Sequence, residues 1–151
     1  MANNPQFADA AAPWDENLAT FTLFDPVDKG RLSDVHNIFR REVYEGIILP
    51  NNERFMGTVA IRCRFCKHCP EELRAPQSIV HPRSLEQMQR AHVRFHREHF
   101  RMCKFIPKDI KARVERAKAN SHVKNNADYW VSSARDMGLD NAPEGILVGR
   151  L

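Results

Sequence analysis

Long hydrophobic runs are missing from this chain. The longest apolar stretch, Gly46-Ile47-Ile48-Leu49, is far short of the roughly 20 residues that span a bilayer, so no membrane partner is expected. Glycine is scarce, 6 of 151 residues, which excludes collagen-like repeats. A Gly-rich phosphate loop, a Gly-x-Ser-x-Gly elbow and a clear carboxylate pair are also absent. Their absence removes the usual sequence marks of catalysis, and the expectation is a protein that is not an enzyme. No basic segment followed by an apolar stretch opens the chain, so it is expected to be intracellular and not secreted, with the nucleus as a compatible compartment. There is no internal repeat. What remains is 42% apolar and 28% charged, too apolar for wholesale disorder and suited to one domain with tails.

Charge is unevenly divided. Residues 1–61 carry 5 basic and 9 acidic side chains, net −4. Residues 62–118 carry 15 basic and 6 acidic, net +9, and residues 119–151 carry 3 and 4, net −1. The positive middle block attracts phosphate or an acidic protein.

Composition and pattern divide the chain into a disordered lead (1–17), an N-terminal arm and helix (18–56), a zinc-finger core (57–106) and a helical C-terminal extension with a terminal strand (107–151). Ser33 is a candidate N-cap for a helix whose stripe is Val35, Ile38, Phe39, Val43 and Ile47. His36 reads as a surface residue of it. Gly57–Arg62 and Ser78–His81 are short strand candidates. A long helix is expected from Ser84, with Gln87 at the capping-box position, to about Cys103. Its stripe is Leu85, Met88, His92, Phe95, His99 and Met102. Helices are also expected from Pro107 to Asn120–Asn126 and around Tyr129–Met137, ending at Gly138.

Four cysteines occur, Cys63, Cys66, Cys69 and Cys103, three of them within seven residues. In a reducing compartment such a cluster points to metal rather than disulfides. Cys63-Arg64-Phe65-Cys66 is a C-x2-C knuckle after a β-prone run. His99 and Cys103 stand four apart on the long helix, on one face and about 5–6 Å from each other. Together they make a Cys-Cys-His-Cys ligand set for one tetrahedral, structural Zn2+. His96 would reach the same ion only through a helix break. Cys69 reads as the spare sulfur, and His92 as a packed core residue. The fold class is therefore α+β: a small ββα-like zinc finger embedded between flanking helices, predominantly helical overall.

The stretches Gly57–Cys66, Ser78–Leu85 and His99–Pro107, with the closing Tyr129–Leu139 and Glu144–Ile146, resemble an uncharacterised zinc-finger family abundant in diatoms and related algae. The resemblance covers roughly residues 30–149 and implies a fold but no activity. The finger core is also similar to BED-type fingers, many of which bind DNA, although the paired aromatics that open a BED finger are missing here. The run His96–Cys103 looks like the end of a BIR-type zinc domain, but the long gap after Cys66 sets it apart.

Function is expected to lie in binding. Arg90, Arg94, Arg97 and Arg101 recur along one flank of the zinc helix, and Lys104, Lys108 and Lys111 continue the positive surface. Cations that neutralise phosphates release counterions and supply affinity, so these seven residues are the candidate nucleic-acid contacts. The alternative is a protein-interaction module whose zinc only staples the core and whose partner is acidic. In that reading Trp14, Phe21 and Phe24 form a docking arm.

Overall fold

A computed structural model of the protein describes residues 12–51, 56–119 and 127–149. Residues 1–11 of the expected lead, and the expected helix end at Asn120–Asn126, lie outside the described residues. The fold is mixed helix and sheet. Four antiparallel strands run in spatial order β1 (Thr20–Phe21), β2 (Tyr44–Ile48), β3 (Val59–Cys63) and β4 (Ile79–Val80). The helices are α1 (Asp34–Ile38), α2 (Met88–Arg94), α3 (Lys108–Ala119) and α4 (Ala127–Asp136). A hairpin of β5 (Leu139–Ala142) and β6 (Gly145–Val148) follows α4. Among the described residues, no helix is long and apolar enough to cross a membrane.

Ser33 caps α1 as expected, accepting from the His36 amide at 3.2 Å. The helix then departs from the expected stripe. A π turn over Phe39–Val43 ends it, and Tyr44–Ile48 is a strand paired to β3 from Tyr44↔Cys63 to Ile48↔Val59. Tyr44, Ile47 and Ile48 favour a pleated surface over a helix. Gly46 suits this strand because the Phe21 ring lies across it: an added Cβ would meet that ring at 2.3–2.6 Å. The helical spacing of Val43 and Ile47 was thus a coincidence of two buried elements.

The long helix is also redrawn. It starts with a 3-10 turn at Leu85–Gln87, runs through α2 and finishes as a π turn over Phe95–Phe100. Ser84 makes no side-chain cap. Asn141 from the distant hairpin accepts from the Leu85 amide instead, at 2.7 Å, while Gln87 Oε1 accepts from the Arg83 amide at 3.3 Å. The π turn rotates the face that follows: His99, Phe100 and Cys103 are buried, and Met102, expected inside, is 65% exposed.

The main core runs from Leu23 to Ile146, with Phe39, Phe95, Trp130 and Leu85 among its largest buried side chains, and a smaller cluster joins Ile47, Leu49 and Ala60. Trp14 packs against it, with the Arg74 guanidinium 3.8 Å above its ring. Arg62, buried under the sheet, binds Glu45 at 2.6 Å and the Pro13 carbonyl at 2.9 Å. These contacts tie Pro13 and Trp14 to β2 and β3.

Candidate metal centre

Cys63 ends β3, where its amide is held by the Ser78 carbonyl at 2.8 Å. The chain then turns sharply, so that Cys66 comes back beneath it. His99 and Cys103 come from the end of the long helix, and the Cys103 amide bonds the His99 carbonyl at 2.9 Å. All four residues are buried, and their ligand atoms lie within 4.8 Å of one another. Cys66 Sγ stands 3.5 Å from His99 Nε2 and 3.6 Å from Cys103 Sγ. A tetrahedral centre with bonds of roughly 2.3 Å to sulfur and 2.0–2.1 Å to nitrogen has S···N and S···S edges of about 3.5 and 3.8 Å. Both separations therefore match a ligand sphere around one ion.

The histidine is set for this role. His99 Nδ1 lies 3.1 Å from the carbonyls of Ala75 and Pro76. Carbonyl oxygens only accept, so Nδ1 carries the proton and Nε2 presents its lone pair to the sulfurs. Such an outer partner fixes the tautomer of a metal-binding imidazole. Lys111 Nζ reaches the Cys103 carbonyl at 2.6 Å and holds the far side of the centre.

The electrostatics favour a cation. Without one, burial works against a charged His99. Hydrogen bonds to the sulfurs of Cys103 and Cys63 overcome it and raise the imidazole to about 10. Sharing protons with Cys103 and Cys63 pushes the Cys66 thiol up, while the same contacts hold Cys103 low. Closely spaced sulfurs oppose one another's ionisation, and a positive charge between them relieves that. A bound ion would supply that charge and displace the protons.

The other candidates lie outside the group. Cys69 is half-buried and its thiol donates to the Phe65 carbonyl at 3.4 Å. His96 packs between Phe39 (4.7 Å) and Phe100 (5.5 Å). His92 is fully buried, with Nδ1 2.8 Å from the Tyr44 hydroxyl. His36 does not read as a surface residue in place: its ring lies 4.4 Å from His92 and 5.4 Å from Trp130. Burial lowers the pKa of His36 and of His96 to about 4, and that of His92 well below its ordinary value.

The basic candidates separate into two groups. Arg90, Arg94 and Arg97 line one groove on the outer side of the long helix. Arg101, Lys104 and Lys108 are exposed beyond it, and Lys111 turns toward the metal centre. Sequence reasoning missed Arg83, which lines the same groove as Arg90; only its position in the +9 block hinted at it. It also missed a buried polar network. Arg40 Nε bonds the Leu23 carbonyl at 2.7 Å and lies 3.4 Å from Asp28, and its terminal nitrogen bonds Ser133 at 2.9 Å. The Tyr129 hydroxyl donates to the same aspartate.

Comparison with protein-family models, curated proteins and solved structures gave no match.

Proposed function

We propose that this protein is a zinc-stabilised binding module, not an enzyme, and that it binds nucleic acid through the arginine face of its long helix. The observation that carries the proposal is the group of four buried ligands within 4.8 Å of one another, two of whose separations match a tetrahedral edge. Three thiolates and one imidazole suit zinc among the common divalent ions. Four protein ligands complete its sphere and leave no position for a substrate, which supports a structural ion. Four cysteines without a disulfide support a reducing, intracellular compartment. Kinship with the algal zinc-finger family, and a finger built from β3, β4 and the long helix, belong to the same proposal.

Nucleic acid is favoured over an acidic protein because the leading arm is not free to dock. Phe21 covers Gly46, and Trp14 is clamped by Arg74. The exposed positive charge lies instead on the helix flank. The test is metal content per chain together with a mobility shift on nucleic acid at two salt concentrations. The expected result is one zinc and a shift that weakens steeply with salt. A protein captured equally well after nuclease treatment, with no shift of any nucleic acid at low salt, would replace this reading by the interaction module.

A further inference from the structure

Beside the metal centre runs a groove of about 1060 Å³. One wall is the outer face of α2 and its π turn, and the other is β4 with the flanking segment Gln77–Arg83. Arg83, Arg90, Arg94 and Arg97 line it against two carboxylates, Glu86 and Glu98. Both carboxylates are already engaged. Glu86 accepts from Asn141 Nδ2 at 2.8 and 3.2 Å, and Glu98 lies 3.8 Å from Arg94. Among the described residues, the guanidinium groups of Arg83, Arg90 and Arg97 have no hydrogen-bond or ion-pair partner.

We infer that this groove holds a single nucleic-acid strand, its phosphates against the unpartnered Arg83, Arg90 and Arg97. The inference rests on the nucleic-acid reading above and changes what that reading implies. A helix that reads a duplex enters a major groove about 12 Å wide and must stand clear of its surroundings. The arginine face of α2 does not stand clear. The segment from Gln77 to Arg83 lines the same groove, so the arginine face is part of a concave channel and not an isolated helix surface. A single strand suits a concave, basic channel. Among the described residues the lining carries no Phe, Tyr or Trp, so stacking adds little and phosphate contacts dominate, with weak sequence preference. A peptide strand is disfavoured, because β4 is two residues long and Pro82, two residues beyond its end, has no N–H to offer.

The groove wall also depends on the metal centre. The carbonyls of Ala75 and Pro76 that hold His99 lead directly into Gln77, whose φ of 61° turns the chain into β4. A released His99 frees that wall.

The test uses the full-length, zinc-loaded protein and a fluorescein-labelled 12-nucleotide DNA of mixed sequence, single-stranded or annealed to its complement. The single strand should bind at least about tenfold more tightly than the duplex at 50 mM salt. Three neutralised phosphates at about −0.7 each give a log–log slope near −2, about a 20-fold loss between 50 and 200 mM salt. Arg83→Gln and Arg90→Gln should each reduce that slope by about 0.7 with zinc content unchanged. Duplex binding equal to or tighter than the strand, or a slope untouched by Arg83→Gln, would overturn the inference and leave the nucleic-acid reading standing. No binding to either DNA would overturn both.

Discussion

The metal centre and the Asp28–Arg40 network are both buried polar clusters, but they are built in different ways. The metal centre joins two local pairs, Cys63 with Cys66 and His99 with Cys103, and each pair is positioned by one turn of backbone. The network joins residues 93 and 101 positions apart, Arg40 with Ser133 and Asp28 with Tyr129. No spacing rule links them: Asp28 lies in the turn before α1 and Arg40 in the π turn after it, and both are met by side chains of α4. Local pairs mark a site in the sequence, whereas long-range polar contacts show only in the fold.

Removing the metal should produce the largest effect. Structural zinc contributes about 10–16 kcal/mol to the folding of small finger peptides, and here the core around Phe39 and Trp130 retains part of the structure. Chelation, or Cys66→Ser, should therefore abolish amide protection over residues 57–103 while α4 keeps some of its own. Hydrogen exchange checks this. Uniform loss across the chain would show that the two regions are not separable.

Breaking the network should cost less and leave the metal in place. Arg40→Met strands a buried carboxylate, Asp28, and should cost about 3–5 kcal/mol, a fall in Tm of roughly 6–20 °C at 2–4 °C per kcal/mol. Adding Asp28→Leu should recover much of that loss, because replacing both partners removes the stranded charge. Zinc per chain should stay constant in both variants. Thermal melts and metal analysis on the same samples measure the two independently.

Acid should separate the regions in another way. His36 and His96 have folded pKa values near 4 and His92 is also depressed, against an unfolded value near 6.5. Between those values the unfolded chain binds more protons, so stability is full above about pH 6.5 and falls toward pH 4. The groups facing this cluster are Arg40 beside His36 and His92, and Lys118, Glu115 and Arg101 around His96. His36→Gln with His96→Gln should flatten the slope without moving the pH at which zinc is released. Denaturant midpoints taken from pH 7 to 4.5 provide the check.

The smallest effect is expected at Gly46→Ala. Its Cβ would push the Phe21 ring aside and should cost about 1–3 kcal/mol, releasing β1 from β2 with the metal and the network both intact. An unchanged Tm would mean that Phe21 has room to move.

How legible the fold was follows the same division. The knuckle, the H-x3-C pair, β3, β4, the Ser33 cap and the Gly138 helix end depend on neighbours in sequence, and each could be read. The strand at Tyr44–Ile48 could not, because Val43 and Ile47 satisfy a helical stripe as well as a strand, and the π turn that separates them has no sequence mark. The inward course of Met102 failed for a related reason, since the π turn at Phe95–Phe100 shifts the helical phase. Arg83 was missed because a groove has two walls, and only the helical one shows periodicity. The hairpin cap from Asn141 to Leu85 lies 56 residues away from the helix it caps.

The central claim is that three sulfurs and one nitrogen close around a single zinc ion. Zinc-edge X-ray absorption on the full-length protein tests it most directly. The account predicts three sulfurs at about 2.3 Å, one imidazole nitrogen at about 2.0 Å and no oxygen neighbour. Four sulfurs, which would bring in Cys69, or a coordinated water, which would open the site, would contradict it.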